Sequence, residues 1–123
     1  MNTQRPDTAE LADMLKALAD ANRLAILDLL MQGVQCNGDI NDRLGLIMSL
    51  VSHHLKVLRR AGLVNVERDS VDGRWIYHSV NAEKLARLRE QLLAFLDPQY
   101  IQPRLGICEP RPISLEGLPL VER

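Results

Sequence analysis

Ser49, Ser52, His53, Lys56 and Arg60 recur on one side of a short segment, and all five side chains can address an anion or a base edge. Between them Val51, Leu55 and Leu58 fall at i, i+4 and i+7, the spacing of an inward helical face. Hydroxyl, imidazole and cationic donors on the outward face suit hydrogen bonds to phosphate oxygens and base edges. A solvated polar face on a helix that only packs would show the same pattern. Charge placement adds to the first reading. Residues 43–78 carry six Lys and Arg against three carboxylates, whereas residues 1–42 carry three against seven. A net charge of −1 over 123 residues argues against bulk polyanion binding, and a basic middle third points to a localised anionic partner.

All three histidines lie in that middle third. His53 faces outward with the polar set. His54 precedes the inward Leu55 and is expected to bond within the core, and His78 is expected to be structural. No nucleophile elbow, phosphate-cradling glycine loop or metalloprotease helix motif is present, so an enzyme is not expected.

The elements that must position these side chains are legible from caps and breakers. Asp7 and Glu10 resemble a capping box ahead of Leu11, Met14, Leu15 and Leu18 at helical spacing. Asp20 caps a second helix with Leu24, Leu27, Leu30 and Met31 on its apolar side, ended by Gly33. A short third helix is predicted from about Cys36 to Leu44, broken by Gly45, and a fourth from Met48 to Ala61, stopped by Gly62. Leu63–Arg68 alternates as a strand, Asp69–Gly73 holds turn residues, and Arg74–Val80 returns. Asn81 caps a last helix with Leu85, Leu88, Leu92, Phe95 and Leu96 as its stripe, and Pro98 ends it.

This order, α-α-α-α-β-β-α, is a winged helix-turn-helix: mainly α with a small β-hairpin wing. Residues 1–97 form the domain. Residues 98–123 hold five of the six prolines together with seven leucines and isoleucines, and are expected to form an extended arm against this domain or a partner subunit. No apolar run approaches the roughly 18–20 residues of a bilayer span. Met1–Asp7 lacks the layout of a secretory signal, so a cytoplasmic protein is expected. Two cysteines are too few for a disulfide scaffold.

Cys36–Leu46, Val51-Ser-His-His-Leu-Lys-Val-Leu-Arg-Arg-Ala-Gly-Leu-Val64 and Gly73-Arg-Trp-Ile-Tyr77 resemble the ArsR/SmtB family of metal-responsive repressors, from about Leu11 to Leu96. The resemblance implies a homodimer on a palindromic double-stranded operator, released by an inducer, with an interface built mainly from the first and last helices. It implies that Ser49, Ser52, His53 and Lys56 address bases and phosphates while Arg59, Arg60, Arg68 and Arg74 clamp the backbone. One stretch departs from the family. A Ser-Gln-Ser-Thr-like start to the reading helix is replaced by Ile47-Met-Ser-Leu50, so Ile47 cannot cap unless Ser49 takes over, and Met48 and Leu50 bring apolar groups near DNA.

The family's sensor sites are only partly represented. Its zinc-type site on the last helix needs histidines that Ala82–Leu96 lacks. Its cysteine pattern at the third helix is matched by Cys36, while Gly38 stands where the second thiol belongs. Cys108 in the arm could supply the missing ligand for a thiophilic ion such as arsenite. The same two thiols could instead form a disulfide on oxidation, and Cys36 could equally be a small buried hydrophobe. A winged-helix module for protein contact, without an operator of its own, is the competing class.

Overall fold

The computed structural model describes residues 5–103. The chain runs α1 (Thr8–Leu18), α2 (Ala21–Met31), β1 (Gln35–Cys36), α3 (Asn37–Leu44), α4 (Met48–Arg60), β2 (Val64–Arg68), β3 (Ile76–Val80) and α5 (Ala82–Phe95), followed by a 3-10 turn at Pro98–Tyr100. The expected mainly helical winged fold is present, with one addition. A two-residue strand, β1, pairs antiparallel with β3, so the wing is a three-stranded sheet of order β1-β3-β2. Cys36 accordingly sits in β1 and at the N-cap of α3, not inside a helix.

Caps fall where short polar side chains meet apolar periodicity. The Asp7 carboxylate accepts from the Ala9 N–H at 2.9 Å. Asp20 accepts from Asn22 and Arg23 at 2.8 and 3.1 Å, and Asn81 from Lys84 at 3.1 Å. Gly45 closes α3 in the left-handed region (φ 66°), which gives the sharp turn into α4 at no side-chain cost.

The core is aliphatic. Ile26, Ile40, Val51, Leu58 and Leu63 are fully buried, each contributing about 1.5–3 kcal/mol of transfer free energy. The apolar side of α2 differs from the expected stripe: Ile26, Leu27, Leu29 and Leu30 are buried, while Leu24 and Met31 are exposed. α2 packs against α1, α3, α4 and β3, so it is enclosed on several sides and a single stripe no longer describes it. In α1 the buried set is Leu11, Met14 and Ala17, leaving Leu15 outside. In α5 only Leu88 is buried, with Leu85, Leu92 and Phe95 packed partly against the core and Leu96 exposed. Arg5 ties the two ends together. It donates to the Phe95 carbonyl at 3.0 Å, and its guanidinium carbon lies about 5 Å from the Phe95 and Tyr100 ring centres. The 98–123 arm is described only as far as Pro103, where a 3-10 turn replaces the irregular start expected of it; its remainder lies outside the described residues.

Candidate nucleic-acid interface

α4 divides cleanly. Val51, His54, Leu55 and Leu58 are buried, and Ser49, Ser52, His53, Lys56, Arg59 and Arg60 are all exposed. Among the described residues, no carboxylate lies within ion-pair distance of Lys56, Arg59 or Arg60. These three cations therefore present their charge to solvent along one face, as an anionic partner requires.

What holds the rod in place is partly polar. His54 Nδ1 lies 3.2 Å from the Arg23 guanidinium, which also donates to the carbonyls of Ala17 (2.6 Å) and Lys16 (3.3 Å). His54 Nε2 is buried 3.8 Å from the Asp20 carboxylate, beyond hydrogen-bond reach. The α1 C-terminus, the α2 N-terminus and α4 thus meet at a single guanidinium. Sequence reasoning placed His54 inside but did not identify Arg23. Its neighbour Asp20 was legible as a cap, whereas the reach to residue 54 depends on tertiary packing.

The N-terminus of α4 also differs from expectation. Ile47 occupies the N-cap and makes no side-chain cap, and Ser49 does not replace it. The partner comes from α3. With the Asn41 amide oriented so that its nitrogen donates to the Asn37 carbonyl (2.6 Å), its oxygen accepts from the Met48 N–H at 3.1 Å. Asn41 therefore satisfies one of the first orphan donors of α4 from across the Gly45 turn.

The wing departs from a simple cationic clamp. The Arg74 guanidinium is held by Asp72 through two contacts of 3.0 and 2.8 Å, and Arg68 donates to the Gly73 carbonyl at 2.5 Å. The Arg74 pair holds the Asp72 carboxyl below its ordinary range and raises Arg74. Both arginines remain exposed, but each is engaged within the 69–75 loop, where Asp69 and Asp72 also accept from the Val71 and Arg74 amides. A phosphate would have to compete with these bonds.

Behind the wing, His78 is buried in β3 opposite Gln35 and Val66, and its Nε2 lies 2.5 Å from the Asn37 side-chain oxygen at the start of α3. Burial, and then the charge of Arg59, hold its pKa below the ordinary histidine value. Cys36 is half-buried in β1 across from Tyr77. Among the described residues, no group of three or more His, Cys, Asp or Glu is placed to hold a metal. Cys108 lies outside the described residues, so the expected Cys36–Cys108 pair has one visible member.

A basic face on the second helix of a helix-turn-helix, with a hairpin beside it, leaves a DNA reader and a protein adaptor both open on geometry alone. Comparison with known proteins separates them. The profile described as bacterial regulatory protein, arsR family, matches residues 20–66. The transcriptional repressor SdpR of Bacillus subtilis is 33% identical over 85 residues, covering 69% of this chain and 91% of that protein. The chain belongs to the ArsR family. A further relative of this ArsR-family regulator, the arsenical resistance operon repressor of B. subtilis, is 35% identical over 63% of this chain and 72% of its own. Among solved structures, a possible transcriptional regulatory protein from Mycobacterium bovis (fragment 1–100) superposes with a TM-score of 0.58 at 35% identity, covering 71% of this chain and 92% of that one. The protein is a DNA-binding transcriptional regulator and not an enzyme. No helix of the described residues is long and apolar enough to cross a membrane.

Proposed function

We propose that this ArsR-family regulator is a cytoplasmic homodimeric repressor that occupies a palindromic operator through two copies of α4 and leaves it when an inducer engages Cys36. The observation that supports DNA contact through α4 is its outward face, where Ser49, Ser52, His53, Lys56, Arg59 and Arg60 are exposed together with no carboxylate partner among the described residues. Two such helices on a twofold axis would meet half-sites about one DNA turn, roughly 34–36 Å, apart. Leu15, Leu93 and Leu96, exposed on α1 and α5, are the apolar surface that a second copy would cover.

The inducer reading rests on placement. Cys36 joins the wing sheet to the first residue of α3, so a ligand pulling on its sulfur would strain the pair of helices that presents α4. One thiolate does not complete a site for a soft ion, which takes two or more. The second thiolate is assigned to Cys108, five residues beyond Pro103 and so able to reach at most about 17 Å from it. Bandshift titration of the full chain on the DNA immediately upstream of its own gene, repeated with arsenite, cadmium, zinc and peroxide, tests this. Release by arsenite or cadmium that is lost in both Cys36→Ser and Cys108→Ser is the expected result. Release by peroxide alone would assign the same thiols to redox sensing. Release that survives both substitutions would end the thiol reading.

A further inference from the structure

α4 begins with two large apolar side chains in water. Ile47 at its N-cap is 69% exposed and Met48 in its first turn is 55% exposed, whereas Val51, Leu55 and Leu58 of the same helix are buried. Neither serves the fold in a way the structure reveals. The cap of Met48 is supplied by Asn41, and the apolar residue that packs the entry to the helix onto the core is Leu46. Ile47 itself makes no side-chain cap, so a residue that could not fill the usual N-cap role of Ser, Thr, Asp or Asn stands at the entry to the helix. Directly behind the pair on the same exposed surface come Ser49, Ser52, His53 and Lys56.

In a helix-turn-helix the leading residues of the second helix approach base edges, while cations further along meet the backbone. The one apolar group on a base edge in the major groove is the thymine C5-methyl. We propose that Ile47 and Met48 are specificity-determining residues that read thymine methyl groups, so that each operator half-site carries thymine where α4 enters the groove. The inference rests on the assignment of α4 as the reading helix and adds to it a base preference. Apolar contact contributes here by removing methyl and side-chain surface from water, about fourfold in affinity per methyl group.

Duplexes selected from a random pool by binding to the full chain provide the probe. Each thymine of the enriched site is then replaced in turn by uracil, which keeps base pairing and removes only the methyl. A loss of about three- to fivefold at one or two positions per half-site is expected, and Ile47→Ala/Met48→Ala should bind thymine and uracil duplexes alike. Enrichment of a site with a flat thymine-to-uracil scan would overturn this inference and leave the reading helix standing. An undiminished uracil penalty in the double variant would overturn it also. Failure to enrich any sequence would overturn the assignment of α4 as DNA reader, and the inference with it.

Discussion

Asn41 and Arg23 carry more of the architecture than their sequence context announces. The missing cap at Ile47 was visible in the sequence, because an aliphatic side chain cannot accept an N–H. The replacement was not, because it crosses a glycine turn from a different helix. Asn41→Ala should lower stability by about 0.5–2 kcal/mol, the range for loss of a helix cap, measured by urea denaturation. His54 was legible as an inward residue from its place beside Leu55, and the Arg23 guanidinium that meets its Nδ1 could be found only once α2 and α4 were packed. Arg74 shows the opposite case. Its position at the wing was correctly anticipated, but Asp72, two residues away, holds its guanidinium, and nothing in a charge count reveals which cations are already engaged.

Among the elements, helices with end signals were placed to within a residue or so, and β1 was missed. Two residues carry no periodicity, and the Gln35–Cys36 pairing is dictated by β3, over 40 positions away. The phase of α2 was half right because enclosure on several sides buries off-stripe residues such as Ile26 and Leu29. At the helix-turn-helix corner, Gly45 has φ 66° and open space where a Cβ would stand. Gly45→Ala should therefore cost only the backbone strain, about 1 kcal/mol, with Gly45→Asn costing less, read as shifts in denaturation midpoint. The wing carries a pH term through His78. Its folded pKa lies below the ordinary value because burial and Arg59 disfavour the charged form, so the unfolded chain binds the proton more readily. The stabilisation is complete above the unfolded value near 6.5 and is lost as pH falls below it toward the folded value. Thermal denaturation between pH 7.5 and 5 should show the wild type losing stability on acidification, and His78→Asn losing less.

At the level of the whole molecule, the proposed function gives the outward cations of α4 to DNA and the exposed leucines of α1 and α5 to a second copy. Leu93 on α5 and Leu96 at its C-cap are 60% and 64% exposed; Leu96 belongs to the stripe expected from the sequence and Leu93 does not, so the core of one subunit consumes neither. Leu93→Glu/Leu96→Glu should sediment as a monomer while keeping the helical content of the parent chain, and it should bind DNA far more weakly because each copy then reaches one half-site. Persistence of a dimer in that variant would place the interface elsewhere. The central claim, that the wet side of α4 lies against DNA, is tested most directly by salt-dependent binding of the upstream duplex to Ser52→Ala/His53→Ala/Lys56→Ala, a variant confined to exposed residues. The account predicts an affinity loss of at least about a hundredfold and a shallower dependence of log K on log salt, by about one unit for each Lys56–phosphate contact removed. An unchanged affinity and slope, in a variant as stable as the parent, would contradict it.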